Sequence, residues 1–214
     1  MDRIATICSY IGKSRTFADV GCDHGYCAKY AVESGLCEKV YITDVSEKCL
    51  AKAEKMLSKY IESGTVEAVC CDGLKGLDES VEQVLIAGMG GEEILKILRQ
   101  SFIPKTFIFQ PMKNAPLLRK YLIESGCKLT ADDIFYDGKY YFIIKGEREG
   151  GTPAYTQKEL LFGRDSLKNP VVKRYALTEA EKRKKYLQSA MSDEARKNVQ
   201  EQLEIYLGVV DNDS

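Results

Sequence analysis

Between residues 16 and 145, short β-branched and aromatic runs alternate with longer stretches rich in Ala, Leu, Lys and Glu. Segments 16–20, 39–43, 66–70, 83–87 and 106–110 are brief and apolar and lead into Gly, Asp or Pro, which predicts buried strands. Segments 26–34, 46–62, 92–100 and 115–124 repeat apolar residues at helical spacing, as Ile94, Leu95 and Leu98 do, and predict helices. Such alternation demands right-handed crossovers and gives an α/β fold, a parallel sheet covered on both faces.

The alternation then breaks. Segments 129–136 and 140–145 are strand-like and are separated by Asp137-Gly138-Lys139, a hairpin signal because glycine tolerates the positive φ of a tight turn. Residues 146–153, Gly-Glu-Arg-Glu-Gly-Gly-Thr-Pro, have the composition of a linker. The chain is thus expected to divide into a sheet domain over 1–147 and a helical tail over 154–214. In the tail Tyr175, Leu187, Met191, Ala195, Val199, Leu203 and Tyr206 form an apolar stripe, mostly at steps of four, on a charged background. A helical hairpin or short coiled coil follows, with Asn169-Pro170 starting its first long helix and Ser192-Asp193 a cap or break.

Several classes are excluded by composition. An apolar content of 44% supports a core without staples. No run approaches the roughly 18 apolar residues of a membrane helix, and the first residues lack a signal-peptide layout, so a cytoplasmic protein with no membrane partner is expected. The eight cysteines, at 8, 22, 27, 37, 49, 70, 71 and 127, contain no C-x-x-C and are expected as reduced, mostly buried residues with no metal bound.

The ends of the predicted strands carry the chemistry. After the first comes Asp19-Val20-Gly21-Cys22-Asp23-His24-Gly25 and then a helix, a turn that offers free N–H groups to a ligand. The dinucleotide pattern G-x-G-x-x-G is absent, and Asp23 stands where it would repel a pyrophosphate. A cationic ligand suits the turn better, and S-adenosylmethionine carries a sulfonium and an α-amino group. Asp44, next to Val45 and 23 residues after Gly21, has the spacing of a carboxylate that grips ribose hydroxyls. Asp72-Gly73 at the third strand end suits an adenine edge, and Gly88-Met89-Gly90-Gly91 at the fourth leaves room for a ligand. The plainer alternatives are a helix cap at Asp44, a turn at Asp72-Gly73, a simple loop at 88–91 and a structural role for His24, the single histidine.

Asp19-Val20-Gly21-Cys22-Asp23-His24-Gly25-Tyr26, Gly88-Met89-Gly90-Gly91, Gln110-Pro111-Met112-Lys113-Asn114 and Gly138-Lys139-Tyr140-Tyr141 together resemble the bacterial TrmK family over about residues 3–165. The resemblance implies a Rossmann-like class I methyltransferase sheet closed by an antiparallel hairpin. It also implies S-adenosylmethionine-dependent methylation of N1 of adenine 22, in the D-arm of tRNA. The chain departs from the family at Cys27-Ala28-Lys29, where Leu-Pro-Ile-like residues are expected.

The residues agree with that chemistry. Enzymes that methylate the exocyclic amine of adenine carry an Asn-Pro-Pro-Tyr or Asp-Pro-Pro-Tyr loop after the fourth strand; this chain has Gly-Met-Gly-Gly. Adenine N1 already has an in-plane lone pair, so its alkylation needs orientation and an exposed or flipped base rather than deprotonation. Asp23, His24, Gln110 and Asn114 are therefore expected to position the base. Arg3 is a candidate for phosphate or substrate contact, its alternative being an exposed surface arginine.

A tRNA partner should leave an electrostatic footprint, yet 31 Lys and Arg face 32 Asp and Glu. The local exception is 164–185, with eight basic residues, Lys182, Arg183, Lys184 and Lys185 among them, against three acidic ones. This stretch is expected to follow the RNA backbone or else to form a solvated helix face. A small-molecule methyltransferase and a non-catalytic binding module on the same sheet are the two competing readings.

Overall fold

The computed structural model describes residues 2–210. Helix α1 (Arg3–Cys8) precedes five strands and four helices that alternate except between the third and fourth strands. These comprise β1 (Ser14–Val20), α2 (Tyr26–Glu33), β2 (Cys37–Asp44), α3 (Glu47–Glu62), β3 (Val66–Cys70), β4 (Gln83–Ala87), α4 (Gly91–Gln100), β5 (Thr106–Gln110) and α5 (Ala115–Glu124). The hairpin β6 (Cys127–Asp137) and β7 (Lys139–Gly150) follows. The seven strands lie in the order β3-β2-β1-β4-β5-β7-β6. β1 to β5 are mutually parallel, and β7 runs antiparallel to both β5 and β6. The α/β sheet closed by an antiparallel hairpin thus matches the reading from the sequence.

Strand side chains alternate between two cores. Phe17, Val40, Ile42, Leu85 and Ile108 face α1, α2 and α3, while Ala18, Val20, Val84, Ile86, Phe107 and Phe109 face α4 and α5. Because successive residues point to opposite faces, a strand buried on both sides must be apolar throughout, which explains the unbroken apolar runs.

The expected linker at 146–153 is corrected in its first half. β7 continues to Gly150, pairing Gly146 with Phe107 and Glu147 with Thr106. A Cβ at Gly146 would meet the Phe107 ring and the Lys128 carbonyl, so the glycine serves close strand approach rather than flexibility.

The tail holds α6 (Gln157–Phe162), a single turn at Ser166–Lys168, α7 (Val171–Tyr186) and α8 (Asp193–Val210). Its starts fall where predicted: Asn169 Oδ1 accepts the Val171 N–H at 3.0 Å, and Ser192 Oγ accepts that of Ala195 at 3.3 Å. The tail packs on the closing hairpin of the sheet. Ile134 and Phe142 of the closing hairpin share a core with Phe162, Val172, Ala176, Ala180, Tyr206 and Val209. In the predicted stripe only Tyr206 is fully buried and Ala195 is exposed. The buried face of α7 is Val172, Ala176 and Ala180, a row at steps of four that lies beside the predicted stripe.

Among the described residues no helix is long and apolar enough to cross a membrane. All eight cysteines are free. Cys8, Cys27, Cys37 and Cys127 are buried, whereas Cys22, Cys49 and Cys71 are partly exposed and Cys70 is exposed.

Candidate active site

The β1–α2 turn is held to the second strand by its backbone. The N–H groups of Gly21 and Cys22 both donate to the Thr43 carbonyl, at 2.8 and 3.0 Å. Gly21 has φ 71°, and the Met89 side chain occupies the space a Cβ there would need. Asp23 is also left-handed, φ 44°, a conformation that Asp tolerates better than most residues. Its Oδ1 accepts from Lys52 Nζ at 3.0 Å and its Oδ2 lies 3.5 Å from His24 Nε2; the Lys52 bond leads the effects holding this carboxyl below its usual range. Gly25 does something else: a Cβ there would strike Ala53 and Leu57, so it lets α2 pack on α3.

At the end of β2, Asp44 Oδ1 accepts the Ser46 N–H at 2.8 Å and Oδ2 lies 3.4 Å from the Asp23 nitrogen. The cap of α3 is Ser46, so Asp44 is left to line the cavity. Val45 beside it is 72% exposed. Asp72 is paired with Lys75 at 2.6 Å, a bond that lowers its carboxyl pKa, and Gly73 (φ 64°) turns the chain over Ile97.

These strand ends enclose a cavity of about 570 Å³. Asp19, Gly21, Cys22, Asp23, His24, Asp44, Val45, Asp72, Gly73, Gly88 and Met89 line it, together with Arg3; Gly25, Gly90, Gln110 and Asn114 do not. Sequence reading missed Thr43 and the α4 residues Glu93, Lys96, Ile97 and Gln100. The last four fall at i, i+3, i+4 and i+7 of a helix that starts directly after the glycine loop, and that spacing was available.

Two loops shape the mouth. Gly88 N donates to the Gln110 carbonyl (3.2 Å), Met112 N to that of Met89 (2.8 Å) and Gly91 N to that of Lys113 (2.8 Å). A Cβ on Gly90 would meet the Lys113 side chain, and one on Gly91 the Asn114 carbonyl. Asn114 caps α5 with φ 55° and no side-chain capping bond. Gln110 is fully buried, and both ends of its amide are engaged. Its Oε1 accepts from Arg3 Nε and Nη2 at 2.9 and 2.6 Å, and its Nε2 donates to the Pro111 carbonyl. Gln110 therefore acts on the site through Arg3, which is a half-buried wall residue and not a surface arginine.

Asp19 sits at the cavity floor, 5% exposed, with Oδ2 accepting the Ala28 N–H at 3.1 Å. Burial raises its carboxyl to about 7 against the counter-effect of that bond. Ala28 lies in the first turn of α2, where backbone N–H groups have no intrahelical partner. A proline here, as the TrmK pattern suggests, would have no N–H to give. The Thr43 hydroxyl, buried in the wall, has no hydrogen-bond partner among the described residues. Four aspartates, Glu93 and an unpartnered hydroxyl around the hollow fit a cationic nucleoside such as S-adenosylmethionine.

The four basic residues of α7 are not equivalent. Arg183 bonds Glu179, Gln202 and the Tyr206 hydroxyl and lies 4.2 Å from the Tyr206 ring, so its side chain ties α7 to α8. Lys182 pairs with Glu179 at 2.7 Å; Lys184 and Lys185 are exposed.

A family model described as a methyltransferase domain matches residues 1–144. The tRNA (adenine(22)-N(1))-methyltransferase of Bacillus subtilis is 27% identical over 159 residues, covering 72% of this chain and 67% of that protein. A crystal structure of a protein in the NADB-Rossmann superfamily from Streptococcus agalactiae is 27% identical, with a TM-score of 0.89 over 99% of this chain and 97% of its own. The TrmK of M. capricolum in complex with S-adenosyl-homocysteine shares the fold, with a TM-score of 0.88 at 22% identity over 98% of this chain and 96% of that one. The family match, joined to the sheet order and the acidic cavity, shows that the chain belongs to the methyltransferase-domain family and stands with the TrmK proteins within it.

Proposed function

We propose that this protein methylates N1 of adenine 22 in tRNA, using S-adenosylmethionine, in the cytoplasm where that RNA is found. The observation that carries the reading is the acidic cavity at the carboxyl edge of the sheet, with Gly88 and Met89 in its wall. The Bacillus subtilis relative named for that reaction supports the choice of substrate.

When bound, the cofactor supplies an electrophilic methyl group on a sulfonium. Asp44 holds its ribose, the Gly21–Cys22 backbone permits close approach, and Asp19 and Asp23 favour its positive charge. Asp23 and His24 stand at the mouth, where they orient the incoming base. The chain needs no general base, since N1 bears a lone pair and no proton. The product base is cationic, and the acidic wall favours that charge as it develops. Gln110 keeps the Arg3 guanidinium at the wall, where it meets substrate phosphate. Asn114 supports the mouth through its backbone turn, and the exposed lysines of α7 extend the contact to the RNA backbone.

The test is incubation with methyl-labelled S-adenosylmethionine and an unmodified tRNA transcript, followed by nucleoside analysis. Label in 1-methyladenosine, abolished when adenine 22 is replaced by guanine, is the expected result. Label on another nucleotide overturns the position. Label on small molecules alone overturns the RNA substrate, and no transfer at all would leave a binding module.

A further inference from the structure

The β6–β7 turn stands at the same carboxyl edge as the cavity, because β6 runs parallel to β5. It is flanked by a cation on each face. On one face the backbone N–H of Arg3 donates to Asp137 Oδ2 at 2.9 Å, and the Arg3 guanidinium lies 5.3 Å from the Tyr141 ring centroid. On the other face Tyr136 packs 5.0 Å from Tyr140, with the Arg174 guanidinium 5.4 Å from its ring. Tyr136 is nevertheless 46% exposed, and Lys139 at the turn is exposed as well.

A solvent-facing aromatic ring beside a guanidinium and an exposed lysine suits single-stranded nucleic acid, whose bases stack on aromatic rings while its phosphates seek positive charge. The position makes that match specific. The turn touches the cavity wall through Arg3 and the basic helix α7 through Arg174, so it lies between the two places a tRNA strand would contact. We propose that the β6–β7 turn is a docking ridge for nucleotides flanking the target adenine, with Tyr136 stacking one exposed base and Lys139 and Arg174 meeting phosphates. The proposal rests on the tRNA reading above.

Steady-state methylation of tRNA by Tyr136→Ala, Tyr136→Phe and Lys139→Glu tests it, with S-adenosylmethionine affinity measured by calorimetry. Tyr136→Ala is expected to raise the KM for tRNA roughly ten- to a hundredfold, the usual size of one lost base stack, with cofactor affinity unchanged. Tyr136→Phe should keep a near-native KM, since the ring face remains. Lys139→Glu, at an exposed turn that cannot disturb the core, should raise the KM and reduce the log–log salt slope by about 0.7. Should Tyr136→Ala not fold, Lys139→Glu decides. An unmoved KM and salt slope in a protein whose wild type methylates tRNA overturns the ridge alone, whereas a wild type that leaves tRNA unmethylated overturns the functional reading and the ridge together.

Discussion

Asp19 shows how one backbone group tunes the site. Its carboxyl, raised to about 7, binds its proton more tightly in the folded chain than in the unfolded one. Folding is therefore favoured at low pH and loses stability as pH climbs from about 4 towards 7, by about 4 kcal/mol at most. Thermal melts of wild type against Asp19→Asn should diverge across that window, and parallel curves would return Asp19 to an ordinary pKa. A cationic ligand prefers the ionised carboxylate, so affinity for S-adenosylmethionine should rise as pH passes through about 7 and stay flat in Asp19→Asn. Proline is tolerated in a first helical turn, so Ala28→Pro should fold while removing the donor to Asp19. Its affinity curve should shift to higher pH, which calorimetry at several pH values would reveal.

At the scale of elements, the junction of tail and sheet rests on a buried pair the sequence does not advertise. Arg119 of α5 is 0% exposed; its Nε reaches both oxygens of Asp132 on β6, at 2.8 and 2.9 Å, and its Nη1 donates to the Leu160 carbonyl of α6 at 3.0 Å. Burial pushes the Asp132 carboxyl up even beside this partner. Arg119→Met would leave that carboxylate unpaired in the core and should destabilise the protein by about 3–5 kcal/mol in denaturant titration. A change below about 1 kcal/mol would show that the pair is dispensable. A chain ending at Gly150 would expose Ile134 and Phe142, so it is expected to lose solubility, which expression of that truncation checks.

What was legible in the sequence follows from the range of the interactions. Strand ends such as Gly21, Gly73 and Gly88 combine positive φ with ligand space, and both demands write themselves into local composition. Arg3 with Gln110 and Arg119 with the α6 carbonyls are pairings across 107 and 41 positions, and an arginine destined for burial looks locally like one destined for solvent. Gly146 was misread for a similar reason, since its partners lie on other strands.

For the whole molecule, a formal charge of −1 hides two regions of opposite sign. Aspartates and a glutamate gather at the cavity, while α7 carries Lys182, Lys184 and Lys185 along its last turns. An enzyme that binds a cationic cofactor and a polyanion needs this segregation, because one field cannot serve both. Reversing all four basic residues would confound it, since Arg183 holds α7 to α8. Lys184 and Lys185 are exposed, and Lys182 is half engaged, so the triple change Lys182→Glu, Lys184→Glu, Lys185→Glu probes RNA contact with the least damage to packing. Each lost phosphate contact should reduce the slope of log affinity against log salt by roughly 0.7–0.9, weakening tRNA binding most at low salt. Filter binding at several salt concentrations measures both quantities, and calorimetry with S-adenosylmethionine should show the acidic cavity unaffected. If affinity and slope stay at wild-type values, these lysines only solvate the helix, and the RNA contact of the molecule must lie nearer the cavity mouth.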